Sequence, residues 1–171
     1  ICFVSLKEKL KTKPMAQNQI GLEPEKASKL ATKLNELLAN YQIFYSNSRG
    51  LHWNIKGDKF FELHLKFEEL YQDSFEKIDE IAERILTLGE TPLHNFSDYQ
   101  KLARVKEAVN VSAAEASVQV VLDGYQVLLE LEREILTLSD DADDEGTNAL
   151  MSDYIREQEK SVWMYSSFLG R

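Results

Sequence analysis

DKFFELHLKFEELYQDSFEKIDEIAERILTL, residues 58–88, carries two patterns at once. Taken at about 100° per residue, Phe60, Phe67, Tyr71, Ser74, Ile78, Ile81 and Ile85 form one stripe, the spacing of a buried face on an amphipathic helix. A second arc, roughly 60° to 160° from the first, holds Phe61, His64, Glu68, Phe75, Asp79, Glu83 and Leu86. A solvated face has no use for Phe61, Phe75 and Leu86, and a core face does not hold three carboxylates and an imidazole. The second arc therefore reads as a contact surface that also holds a cation, because imidazole with carboxylate suits iron, zinc or manganese. Asp79 and Glu83, like charges one turn apart, weaken the helix unless something neutralises them, and a metal ion would do so.

Working outward, the breakers fall in a telling order: Gly21 and Pro24, Gly50 and Gly57, Gly89 and Pro92, then Gly146 behind a run of acids. Residues 25–50 place Leu30, Leu34, Leu37, Leu38, Tyr41 and Tyr45 at helical spacing. Residues 112–139 do so with Val118, Val121, Leu122, Tyr125, Leu128, Leu129 and Ile135, tolerating Gly124 inside, and residues 146–168 with Leu150, Tyr154, Val162 and Trp163. Four long helices with short first and last connections, and a long stretch from Glu90 to Val111 between, predict an all-α four-helix bundle with one crossover. Phe96, Tyr99 and Leu102 predict a short extra helix inside that crossover. Residues 1–21 read as a basic extension and 22–171 as the bundle domain.

Composition agrees. The chain has 171 residues, 43% hydrophobic and 29% charged, which fits one ordinary globular domain and excludes disorder. Seven glycines and three prolines leave too few turns for a sandwich or barrel. No apolar run approaches the roughly 18 residues of a membrane span. The single cysteine, Cys2, cannot make an intrachain disulfide framework, so the cytoplasm is the expected compartment. The opening stretch from Ile1 to Leu6 is too short for a signal-peptide core, so no targeting segment is expected. Net charge is -9, an acidic balance that repels phosphate backbones and suits cations. Lys7, Lys9, Lys11 and Lys13 against Glu8 give the first twenty residues +3, which leaves -12 for residues 21–171.

Distance limits how the second arc can work. At 1.5 Å rise per residue, Glu68 and Asp79 lie about 16 Å apart along the helix, too far to share an ion. Two copies of this helix packed antiparallel about a two-fold axis near Gln72 and Phe75 would bring His64 and Glu68 of one chain level with Asp79 and Glu83 of the other. His52, at the end of the first helix beside Trp53, lies close enough in sequence to add a ligand, although an imidazole there also suits the helix dipole. The rival is a metal centre inside one bundle, which uses Glu-x-x-His pairs. This chain has none, because Arg49, Phe61 and Thr91 stand three residues before His52, His64 and His94.

These residues carry a family resemblance. His52-Trp53-Asn54, then His64, Glu68, Asp79 and Glu83 at successive spacings of 12, 4, 11 and 4, set within GLHWNIKGDKFFELHLKFEELY (50–71) and DEIAERILTLGETP (79–92), resemble the Dps family over about residues 22–169. The chain departs from the family in carrying Glu68 where aspartate is usual. The resemblance implies a ferritin-like fold and a hollow homododecamer that oxidises Fe(II), preferably with hydrogen peroxide, and stores ferric mineral, protecting DNA. It implies His52, His64 and Glu68 from one subunit and Asp79 and Glu83 from its two-fold mate as ligands of iron, with zinc or manganese as substitutes, and Trp53 as a sink for oxidising equivalents. It also implies an iron-entry pore near Asp140, Asp141, Asp143, Asp144 and Glu145, acids that equally suit the start of a helix. Some family members bind DNA through lysine-rich arms, a role open to Lys7, Lys9, Lys11 and Lys13 and one that would place the protein at the nucleoid. Two alternatives stand beside this reading: a nucleoid-packing protein with little oxidation activity, and a metal-free helical interaction module.

Overall fold

The computed structural model describes residues 17–171, so the lysines at 7, 9, 11 and 13 lie outside the described residues. Five helices follow in order: α1 Pro24–Asn54, α2 Phe60–Thr87, α3 Phe96–Leu102, α4 Ala114–Asp141 and α5 Glu145–Phe168. No strand occurs among the described residues. Helix α1 packs against α2 and α4, and α4 against α5, while the short α3 of the crossover lies on α1. This is the expected bundle: one helical pair, a crossover with its extra helix, and a second pair.

One breaker does not break. Gly50 sits inside α1, which runs on to Asn54, because the next turn buries Leu51 and Ile55 almost completely. Burying two large aliphatic side chains stabilises by roughly 3–6 kcal/mol, more than the ~1 kcal/mol that glycine costs a helix. The chain turns instead at Gly57, whose φ of 108° suits glycine. Gly124, by contrast, is required where it stands, since a Cβ there would meet the buried Phe44 ring at 2.5 Å. It lets α4 approach α1.

The core is built from the expected stripes with three shifts. Phe44 rather than Tyr45 faces the centre of the bundle, and Tyr45, Phe60, Tyr71, Ile78, Leu122, Leu129, Leu150 and Val162 are only half-buried. Trp163 is not part of the buried face of α5: it is 65% exposed, and Met151, Tyr154 and Gln158 form that face instead. Polar groups enter the centre as a linked set. Tyr41 donates its hydroxyl to Glu132 Oε1 at 2.9 Å, and Gln158 Nε2 donates to both. Burial pushes the Glu132 carboxyl up to about 7, against the lowering effect of the Gln158 and Tyr41 hydrogen bonds. Lys77 is also buried, bridging Asp73 and Glu157 between α2 and α5 with its ammonium 5.0 Å from the Tyr154 ring.

The helix ends explain the connections. Asn18 accepts the backbone N–H groups of Ile20 and Leu22 and donates to the Leu88 carbonyl, pinning residues 18–22 to the end of α2. Asp144 caps α5, accepting from the Thr147 backbone and hydroxyl, and pairs with Arg84 of α2. These hydrogen bonds and the guanidinium hold its carboxyl below the usual range despite burial.

Candidate metal centre

The last turn of α1 and the first turns of α2 run antiparallel on either side of the Gly57 turn, with Leu51, Ile55, Leu63 and Phe67 buried beneath them. That arrangement carries His52 and His64 face to face. Their rings stack with centroids 3.9 Å apart and 19° between planes. Each Nδ1 lies 2.8 Å from the backbone carbonyl oxygen of the other residue. A carbonyl only accepts, so each Nδ1 donates its N–H, and Nε2 is the ring nitrogen that each histidine leaves available to a metal ion. Metal-binding histidines are oriented in this way, the second nitrogen held by a carbonyl or carboxylate. Phe60 stacks on the far side of His64 at 5.0 Å, and Tyr71 stands edge-on to His52 at 5.4 Å. Both rings are therefore held in position by contacts within the chain.

Glu68 lies one turn beyond His64, half-buried, with Oε1 3.5 Å from the Gln72 amide. Asp79 and Glu83 are exposed further along α2. No three His, Cys, Asp or Glu side chains among the described residues gather in one chain to hold a metal ion. The candidate ligands thus form two half-sets, an imidazole pair with Glu68 at one end of α2 and a carboxylate pair toward the other. Between and around them the surface is apolar: Trp53, Phe61, Phe75 and Leu86 are all more than half exposed. The donor set of two imidazole nitrogens and carboxylates fits iron.

The acidic run divides. Asp140 and Asp141 close α4 and are exposed, as are Asp143 and Glu145, whereas the Asp144 carboxylate is buried and committed to its cap and to Arg84. For Asp144 the local role of an acid at a helix start is the one the structure displays. His94 is exposed in the crossover, apart from the histidine pair.

Two tyrosines that periodicity assigns to the buried stripes flank the site. Tyr71 touches His52, and Tyr45 touches Tyr71 with ring centroids 6.2 Å apart. The Arg49 guanidinium lies between the Tyr45 ring, at 4.9 Å, and the exposed Trp53 ring, at 5.0 Å. Position offers a signal for both: Tyr45 stands seven residues before His52 and Tyr71 seven after His64, two helical turns along the same face in each case.

Comparison with known proteins agrees with the geometry. The ferritin-like domain family, described as Ferritin, matches residues 31–171. A crystal structure described as a Dps protein from Vibrio cholerae O1, a member of a broad superfamily of ferritin-like diiron-carboxylate proteins, superposes with a TM-score of 0.89 at 56% identity, covering 92% of this chain and 99% of that one. The DNA protection during starvation protein of Porphyromonas gingivalis is 43% identical over 148 residues, covering 86% of this chain and 93% of its own length. The crystal structure of Dps from Staphylococcus aureus is more distant, at 29% identity and a TM-score of 0.80 over 90% of this chain and 98% of its own. The fold is thus that of the ferritin-like helical proteins. Within that class the chain belongs to the Dps family.

Proposed function

We propose that this protein is a ferroxidase and iron-storage protein. It oxidises Fe(II), preferably with hydrogen peroxide, at sites shared between two subunits, and retains the ferric product as mineral inside a hollow cage, taken here as a dodecamer. The observation that carries this reading is the reciprocal His52–His64 clamp, which leaves both Nε2 atoms available beside an exposed apolar surface, while no three His, Cys, Asp or Glu side chains among the described residues of one chain complete a metal site. Packing α2 antiparallel against its symmetry mate adds the partner subunit's Asp79 and the partner subunit's Glu83 to His52, His64 and Glu68, and covers Phe61, Phe75 and Leu86 in the same contact.

The chemistry balances simply. Each hydrogen peroxide takes one electron from each of two Fe(II) ions, and its O–O bond breaks to two hydroxides, leaving two Fe(III) that take up hydroxide as they hydrolyse to mineral. Carboxylates favour the more highly charged product, while the imidazoles leave coordination positions open for the oxidant. Exposed acids at Asp140, Asp141, Asp143 and Glu145 draw Fe(II) toward the shell. Consuming iron and peroxide together removes the reactants that generate hydroxyl radical, which protects DNA without a DNA contact. Zinc and manganese, suited to the same donors, compete for the site.

The test is anaerobic loading with Fe(II) followed by peroxide or air, with ferric absorbance and particle size recorded together. Peroxide-driven oxidation well above the protein-free rate, in a particle of about twelve chains, is the expected result. Oxidation no faster than the protein-free control refutes the ferroxidase reading. DNA retardation that is sensitive to salt and lost on removal of residues 1–14 would then favour nucleoid packing through the lysine arm.

A further inference from the structure

Arg84, Arg104, Arg133 and Arg156 each meet a carboxylate. Arg49 meets none among the described residues, although it is half-buried and its Nε is buried without a hydrogen-bond partner. Its guanidinium is nonetheless held in place. It lies 4.9 Å from the Tyr45 ring and 5.0 Å from the Trp53 ring, and Nη1 donates to the Tyr45 hydroxyl at 3.3 Å. A half-buried guanidinium kept rigid with no counter-charge is unfavourable unless a carboxylate reaches it from outside its own chain. Asp79 is the matching half: it is exposed on α2, meets no cation among the described residues, and stands one turn from the like charge of Glu83.

The packing registers bring the two together. His52 stacks on His64 and Tyr45 touches Tyr71, which sets Arg49, between them on α1, level with Phe67 and Glu68 on α2. Tyr45 also touches Phe75, so α1 borders the face that α2 offers its mate. In the antiparallel packing proposed above, the partner subunit's Asp79 comes level with Glu68, and hence with Arg49. Asp79 of the same chain stays about 16 Å away along α2, beyond the reach of an arginine side chain.

We propose that Arg49 pairs with the partner subunit's Asp79 across the two-fold contact and presents that carboxylate to the histidine clamp; this rests on the shared-site packing above. Arg49 is thus a positioning residue. One carboxylate oxygen accepts from the guanidinium, and the other is left for a metal ion at the Nε2 atoms of His52 and His64, since carboxylates that ligate metals are themselves oriented by hydrogen bonds. Two-fold symmetry makes the pair twice in each dimer. In the metal-free protein the pair also neutralises one of two neighbouring like charges on α2, so the contact closes and the ligands are assembled before iron arrives. Lysine would supply the charge but not the planar fork that stacks between two rings and donates from its edge.

The ion pair can be tested without iron. Full-length protein is stripped of metal with a chelator, and subunit dissociation is followed by sedimentation over a dilution series in fixed, moderate urea, with circular dichroism confirming the helical content. Arg49→Asp alone sets acid against acid across the contact, and Asp79→Arg alone sets cation against cation, so each should raise the dissociation constant about tenfold or more. Both substitutions in one chain restore opposite charges in both pairs of the dimer, and should recover most of the parent association. A doubly substituted chain that dissociates as readily as either single variant overturns the proposal. The milder Arg49→Gln and Asp79→Asn give a second comparison: combined, they should dissociate no more readily than the more affected single variant, and effects that multiply overturn the pairing. The positioning role is read with Co(II) alone. Its visible absorption when bound should differ between the parent and Arg49→Gln, because the partner's Asp79 is no longer held, and identical spectra overturn that role. Iron oxidation by the parent with no rescue by the charge swap overturns the Arg49 proposal alone. Rescue by the swap with no oxidation in the parent supports the ion pair and overturns the ferroxidase reading.

Discussion

If each site takes its imidazoles from one chain and its carboxylate pair from the other, two inactive variants should restore activity when they share an assembly. The perturbation is a pair of double substitutions, His52→Ala with His64→Ala in one chain and Asp79→Ala with Glu83→Ala in the other. Each two-fold dimer holds two sites. In a homodimer of either variant both sites are defective, since every site lacks its histidines or its acids. In a mixed dimer one site combines both defects, and the other is intact because it takes histidines from the acid-deficient chain and carboxylates from the histidine-deficient one. Random mixing makes half the dimers mixed, so about a quarter of all sites are intact. Co-expressed, separately tagged chains purified through both tags, at equal stoichiometry, should show about a quarter of the parent rate of peroxide-driven Fe(II) oxidation, against near-background rates for either variant alone. The axial separation of Glu68 and Asp79, about 16 Å, makes the outcome sharp, because no rotamer lets one chain bridge it. Co-assembly that stays at background, or single variants that keep most of their activity, would refute the shared-site argument.

Other expectations follow from the bundle itself. The Glu132 carboxyl, pushed from 4.5 to about 7, keeps a proton in the folded chain that the unfolded chain releases, so its contribution erodes stability as pH rises through that window. At ~1.4 kcal/mol per pH step the ionised form costs at most about 3 kcal/mol. Glu132→Gln should therefore gain thermal stability over the parent between pH 4.5 and 7 and hold that gain above it, and a pH-independent difference would contradict this. Gly124→Ala places a methyl 2.5 Å from the Phe44 ring. The strain exceeds the ~1 kcal/mol helix benefit of alanine, so a net loss of about 1–2 kcal/mol is expected in chemical unfolding, recovered when Phe44→Leu makes room. Asp144→Asn keeps a cap but loses the charge facing Arg84, for about 1–2 kcal/mol at neutral pH. Because that carboxyl is held below its ordinary 3.8, its contribution is present above that pH and lost below it, so the gap to the parent should close in acid unfolding.

Much of this molecule is legible along the chain because helices convert spacing into faces. The 58–88 stretch announces both of its faces, and the 12, 4, 11 and 4 register of His52, His64, Glu68, Asp79 and Glu83 places candidate ligands without any coordinates. The failures have one physical origin. Gly50 reads as a stop but is overridden by burial of Leu51 and Ile55; Trp163 reads as core but is exposed; Tyr45 reads as core while Phe44 takes the centre. Periodicity gives a face only to within a residue or so, and which neighbour turns inward depends on the helix opposite. Lys77 shows its i−4 partner Asp73 in the sequence but not Glu157, and Arg84 shows nothing of Asp144, because those two carboxylates arrive from α5 and its cap.

The sequence by itself determined the helix order, the crossover with its short helix, the glycine turn at Gly57 and the identities of the candidate ligands, all set by local spacing and composition. Only the tertiary structure decided that the two imidazoles stack and hold each other's Nδ1 protons on backbone carbonyls, freeing both Nε2 atoms. It alone placed Glu132, Tyr41 and Gln158 in one buried network and aligned Tyr71, Tyr45, Arg49 and Trp53 beside the clamp. Such contacts join residues from different helices or different turns at particular angles, and that geometry is fixed by how side chains fill the space between helices, which no one-dimensional spacing records.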